Sequence, residues 1–168
     1  PGVLERGRAY LTSHLGAALN DPEEHTWMLF ALASTGGAPK AGLNKAFERR
    51  SRLSNRGRAL LALALLSAKD PRARIAVENL DDIIRAARER QDASVGDAND
   101  VWQTSEAIEA TAYALMAVYH HDPASPWVKP LTDFLVLRRN GGKWRTTRDT
   151  AFSLYALSEL ASREKVAA

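Results

Sequence analysis

The sequence predicts an all-α fold, and within it a segment of an α/α toroid or solenoid of about eight helices arranged as helical hairpins. Three observations predict it. Apolar positions recur at spacings of three and four along most of the chain. Acid–proline and serine–proline pairs mark helix starts at intervals. A short motif, an aromatic or Leu followed by Ala-Leu, recurs near the middle of alternate helices. No segment sustains the period-two alternation of β-branched residues that a strand needs, so no sheet is expected.

Taken in order, the apolar periodicity gives helices over 3–15, 23–34, 40–50, 55–68, 71–89, 105–120, 126–139 and 148–162. Asp21-Pro22-Glu23-Glu24 supplies an N-cap acid, a proline at the first helical position and a glutamate three residues after the cap. Asp70-Pro71 and Ser125-Pro126 repeat the pair of N-cap and proline. The recurrent motif stands at Phe30-Ala31-Leu32, Leu61-Ala62-Leu63, Tyr113-Ala114-Leu115 and Tyr155-Ala156-Leu157. Two copies extend further, because Leu61 through Pro71 and Tyr113 through Pro123 both run from a small, apolar helix into Asp-Pro at the same spacing. Small residues let helix axes approach closely, so the Ala-rich helices are expected inside and the more charged 71–89 and 126–139 outside. An irregular bundle, in which Ala-Leu pairs recur through composition alone, is the competing architecture.

The longest irregular stretch runs from Gln91 to Gln103 and contains Asp97-Ala98-Asn99-Asp100-Val101-Trp102. Loops of this length are often functional. The plainer reading is a surface crossover between hairpins with Trp102 folded over an apolar edge.

Composition fits a single helical domain over 1–168: 45% of the residues are hydrophobic and 26% charged, with seven prolines and ten glycines spread as punctuation. The net charge of +3 comes from 23 basic residues interleaved with 20 acidic ones, as in Glu48-Arg49-Arg50, which gives little support to nucleic-acid binding. The chain has no cysteine, which removes disulfides, thiolate metal sites and a cysteine nucleophile. The strongly apolar run Ala59 to Ala68 is too short to span a bilayer, and the first residues lack the order of a signal peptide, so no membrane contact is expected from this segment.

Candidate chemistry is sparse. His120-His121-Asp122 could be drawn as a metal site, but adjacent residues at a helix end point apart, and imidazoles sit well against the last carbonyls of a helix. His25, in the first turn of its helix, is expected to be exposed, and His14 carries no motif around it. Glu106 and Glu109, one turn apart, resemble an acid pair of the kind glycoside hydrolases use, yet nothing else marks a sugar cleft. Glu109 reads better as a buried acceptor for hydroxyls or backbone amides of a neighbouring hairpin. Terpenoid cyclases share the toroid but need an aspartate-rich motif that does not appear here. No phosphate loop, nucleophile elbow or zinc-helix signature is present, and no cofactor or complete catalytic site is expected.

From Glu109 onwards the chain resembles the thioester domain of the alpha-2-macroglobulin and complement family. Glu109-Ala110-Thr111-Ala112-Tyr113-Ala114-Leu115 is similar to that family's inner helix. Pro126-Trp127-Val128 through Phe134-Leu135 to Arg138-Arg139-Asn140 resembles its outer helix. Gly141-Gly142-Lys143-Trp144-Arg145-Thr146-Thr147-Arg148-Asp149-Thr150 resembles the Gly-Gly-Trp/Tyr signature that precedes its last inner helix. Upstream, Phe47-Glu48-Arg49-Arg50-Ser51-Arg52-Leu53-Ser54 looks like the bacterial branch.

The resemblance implies a terpenoid-cyclase-like toroid, incomplete here, since about eight helices supply about its C-terminal two thirds. It implies structural roles for Glu109, Thr111, Tyr113, Trp144, Thr146, Thr147, Asp149 and Thr150. Thr146 or Thr147 should cap the final helix, with Asp149 in its first turn and Trp144 packed across the hairpin. The Cys and Gln of the family's thioester have no counterpart in the sequence, so no catalytic residue carries over. The implied role is a non-catalytic scaffold piece of a bacterial, periplasmic or secreted protease trap. Its partners would be neighbouring macroglobulin domains, and proteases would be the targets of the parent. A helical-repeat module with its own peptide partner is the alternative, and a toroid hydrolase or cyclase comes after it.

Overall fold

The computed structural model describes residues 2–89, 95, 104–139 and 142–167. Among these the chain is all-α, with eight α-helices and no strand: α1 (Val3–His14), α2 (Pro22–Ser34), α3 (Lys40–Glu48), α4 (Asn55–Ser67), α5 (Ala73–Glu89), α6 (Thr104–His121), α7 (Val128–Leu137) and α8 (Thr147–Ala167). Single 3₁₀ turns at Ala17–Asn20 and Arg50–Arg52 lead into α2 and α4.

The packing follows the alternation expected from the repeated motif. α2 lies on α4, α4 on α6 and α6 on α8, forming one row. On the other side α3 touches α2 and α4, α5 touches α4 and α6, and α7 touches α6. Composition explains which helices lie inside. A helix that is apolar on every side must be covered on every side. In α4 all residues from Ala59 to Leu65 are buried, and in α6 all from Ala107 to Tyr119. Ala62, Ala64, Ala112, Ala114 and Ala117 are fully covered, and their lack of bulk is what lets four helices crowd each of these two. α5 is instead strongly one-sided, with Ala76, Val77, Leu80, Ile84 and Ala87 buried while Arg74, Glu78, Asp82 and Arg85 face water. α1 buries none of its side chains and lies at one end of the row.

The turns repeat as the helices do. In both extended copies of the motif the aspartate of Asp-Pro accepts the amide two residues on, Arg72 N to Asp70 Oδ1 at 3.0 Å and Ala124 N to Asp122 Oδ1 at 2.9 Å. The next amide closes on the aspartate carbonyl in each case, Ala73 to Asp70 at 3.0 Å and Ser125 to Asp122 at 3.1 Å. Identical bonding at corresponding positions argues against a merely compositional repeat.

Two starts lie later than the sequence suggests. Pro71 and Pro126 are not the first helical residues, because the backbone first closes tight i to i+3 bonds, Ala73 N to Asp70 O and Val128 N to Ser125 O, before settling into α5 and α7. At Asp21 the expectation holds: its carboxylate accepts Glu23 N and Glu24 N, and Pro22 opens α2.

Helix ends show one position where backbone conformation matters. α2 closes with Gly36 at φ 77, with Gly37 N bonded to Leu32 O at 2.8 Å and Gly36 N to Ala33 O at 2.9 Å. α4 closes with the same pair of bonds, Asp70 N to Leu65 O and Lys69 N to Leu66 O, but with Lys69 in the left-handed conformation at φ 54.

Candidate functional site

A chain of alternating charges joins the N-terminal turns of α2, α4 and α8 through a carboxylate of α6. Glu23 stands in the first turn of α2, Arg56 in that of α4 and Arg148 in that of α8, while Glu109 lies further into α6. Arg56 bridges two carboxylates, with Nη2 3.6 Å from Glu23 Oε2 and Nη1 3.6 Å from Glu109 Oε2. Arg148 donates from Nη2 to Glu109 Oε2, which completes the order Glu23, Arg56, Glu109, Arg148 across α2, α4, α6 and α8. An arginine at a helix N-terminus is opposed by the helix dipole. Both arginines sit there because carboxylates from neighbouring helices compensate them.

Glu109 is the buried centre of this chain. Its side chain is 2% exposed, against 30% for Arg56 and 55% for Arg148. A carboxylate this far from water has to be paired. The acceptor role expected of it is present, but its partners are guanidiniums and not hydroxyls or backbone amides. Those arginines reach it because α4 and α8, its neighbours in the row, both start beside it. Glu106, one turn away, is exposed.

The other end of the chain caps a helix. Glu23 Oε1 accepts the amide of Ser54 at 2.6 Å, so a carboxylate from α2 closes the N-terminus of α4 alongside the Ser54 hydroxyl, which accepts Gly57 N. Gly57 makes this approach possible: a Cβ there would lie 2.6 Å from Glu23 Oε1 and 2.7 Å from Oε2.

Four residues beyond each member of the charge chain, one helical turn deeper, stand Trp27, Leu60, Tyr113 and Phe152. Tyr113 is buried and central. Its ring meets Phe30 edge-on at 6.0 Å and Phe152 at 5.2 Å, which joins α2, α6 and α8 through aromatic contacts. Burial, reinforced by the charge of Glu109, pushes the Tyr113 phenol well above its ordinary range, and a hydrogen bond with Trp27 opposes that shift. The phenol stays neutral.

The remaining predicted residues fall into two supporting positions. Thr111 is fully buried on α6, donating to Ala107 O at 2.7 Å and accepting Val95 N at 3.0 Å, so it ties the buried Val95 to the inner helix. Thr146, not Thr147, caps α8, accepting Asp149 N at 3.0 Å. Asp149 is buried in that first turn, Thr147 is exposed at its start, and the Thr150 hydroxyl donates to Thr146 O at 2.9 Å. Trp144 packs across the hairpin as expected, buried, with Nε1 donating to Leu135 O of α7 at 2.8 Å and Arg139 over its ring. Gly142 is in the left-handed region at φ 85. Asn140, Gly141, Trp102 and the crossover around it lie outside the described residues.

Sequence reasoning missed Glu23, Arg56 and Arg148 as one group. The signal available was a charged residue in the first turn of each of three helices whose middles carry the Ala-Leu motif. One placement is corrected. His25 is buried, not exposed, because the turn Ala17–Asn20 and α3 both cover that side of α2, and Arg49 reaches back to donate to Leu19 O at 2.8 Å. Burial and then the charges of Arg49 and Lys45 lower its pKa. His120 stands in the last turn of α6, with Nε2 3.4 Å from Glu159 Oε2 of α8. Among the described residues no group of three His, Asp or Glu side chains could hold a metal ion, and no helix is long and apolar enough to cross a membrane.

No protein-family model, curated protein or solved structure matches this chain.

Proposed function

We propose that this chain is a non-catalytic scaffold piece of a bacterial alpha-2-macroglobulin-like protease trap, contributing part of an α/α toroid to a periplasmic or secreted parent. The observation that carries the reading is the charge chain. Glu109 and Arg148 both belong to motifs on which the resemblance rests, and both are spent on tying adjacent hairpins together. A carboxylate hydrogen-bonded to one guanidinium and ion-paired with a second is placed to hold helices in register, and Trp144, Thr111 and Thr146 likewise bond within the fold.

The row of inner helices supports the toroid as well. Apolar side chains are exposed at both of its ends, Val3, Leu4 and Tyr10 on α1 and Leu154 and Tyr155 on α8. These are faces against which further hairpins or neighbouring domains of a parent would pack.

The reading is tested on the full-length parent incubated with an endopeptidase. Physical enclosure spares cleavage of a small chromogenic peptide while suppressing digestion of a large protein substrate. Equal suppression of both substrates, or of neither, removes the trap. Methylamine treatment followed by intact mass then reports whether the parent also carries a thioester.

A further inference from the structure

On the outer side of the row α3 is short, ending at Glu48, whereas α5 runs on to Glu89. The two do not pack along their lengths, and a groove of about 530 Å³ opens between the 3₁₀ turn after α3, the start of α4 and the adjoining flank of α5. That volume is in the usual range for a binding cleft, roughly 300 to 1,000 Å³. Its two walls differ. One carries Arg50 and Arg58, the other Asn79 and Asp82, and the half-buried Ile83 and Ala86 contribute apolar surface.

The basic wall is short of partners. Arg56, Arg72, Arg74, Arg85 and Arg148 carry ion pairs, but among the described residues none reaches Arg50, Arg52 or Arg58. Arg50 donates to Phe47 O at 2.8 Å and lies over the Phe47 ring, and Arg58 donates to Leu53 O at 3.1 Å and Ser51 O at 3.4 Å. These bonds fix both guanidiniums in place and leave further donors on each, since an arginine has five. The site is therefore pre-ordered, positive and partly apolar, with hydrogen-bonding groups facing it from α5.

We infer that this groove binds an extended peptide segment carrying an acidic side chain beside an aliphatic one. The carboxylate meets Arg50 and Arg58, the aliphatic side chain covers Ile83 and Ala86, and main-chain N–H groups face Asn79 and Asp82. The inference does not depend on the protease-trap reading: Arg50 and Ser51 fall within the stretch that looks like the bacterial branch, but the groove is defined by its lining alone and uses neither the charge chain nor the motifs from Glu109 onwards.

The test uses the 168-residue chain and fluorescence anisotropy of a short labelled peptide alternating glutamate and leucine, with a glutamine-for-glutamate peptide as control. Binding of the acidic peptide should be saturable, about tenfold or more tighter than that of the control, and weakened about tenfold or more by Arg50→Gln. Ala86→Glu places a like charge in the groove from a helix that tolerates it, and should also weaken binding while circular dichroism shows an unchanged fold. Absence of saturable binding, equal binding of the two peptides, or undiminished binding by both folded variants overturns the inference.

Discussion

Arg148→Ala should destabilise the protein more than Glu109→Gln, although Arg148 is the more exposed partner. Removing the Arg148 guanidinium leaves a carboxylate that is 2% exposed with only Arg56 at 3.6 Å. Stripping one partner from a fully buried pair costs about 3–5 kcal/mol. Arg56 retains part of the compensation, which brings the expected loss to about 2–3 kcal/mol. Replacing Glu109 by Gln instead frees two guanidiniums that are 30% and 55% exposed and can return to water. That loss is a charge-assisted bond discounted for solvent screening, about 1 kcal/mol. The double variant should resemble Glu109→Gln, which gives a coupling of about 2–3 kcal/mol. Urea melts followed by far-UV circular dichroism measure all four corners of the cycle, and Arg148→Ala should lower the melting temperature by about 4–12 °C in a chain of this size. If Arg148→Ala costs no more than Glu109→Gln, or the coupling is under about 0.5 kcal/mol as for a surface pair, then Glu109 is not the buried centre of the charge chain.

Three other outcomes follow from particular contacts. Gly57→Ala should cost about 1–2 kcal/mol despite a helix-propensity gain of about 1 kcal/mol, because the added methyl displaces the Glu23 carboxylate from Ser54 N; a more stable variant would show that bond to be dispensable. Lys69→Gly should stabilise by about 0.5–1 kcal/mol, by relieving the left-handed backbone at the end of α4 that Gly36 accommodates at the end of α2, and thermal melts would contradict this by showing a loss. His25, with a pKa held below its ordinary 6.5, binds a proton more readily in the unfolded chain, so it contributes stability that is lost as pH falls below about 6.5 towards the folded value. His25→Gln should flatten that part of the stability profile, and an unchanged slope in urea melts from pH 7 to about pH 5 would assign the dependence to other groups.

Much of the helix pattern was legible because the properties that define it are local. Apolar spacing located all eight helices, and the Asp21 carboxylate and Thr146 hydroxyl cap α2 and α8 through bonds spanning two or three residues. Asp70 and Asp122 form the same turn because the same side chain faces the same amide two residues on, whatever surrounds it. The inner position of α4 and α6 was also readable, since helices rich in Ala and Leu on every side leave no face for water.

Partner choice for charged groups was not legible, because it depends on which helix ends are brought together. Glu109 could be recognised from sequence as a residue that needs a partner, but nothing local indicates that Arg56 and Arg148 would converge on it, separated from it by 53 and 39 positions. His25 shows the converse. Its first-turn position suggests exposure, and only the packing of a 3₁₀ turn and α3 against α2 buries it. The sequence by itself determined the helices, their caps and the order in which inner and outer members alternate, because hydrogen bonds and apolar periodicity act within a few residues. Only the tertiary structure decided that the N-termini of α2, α4 and α8 are linked through one buried carboxylate of α6 and that a short α3 leaves a basic groove beside α5, because both depend on distances between segments far apart in the chain.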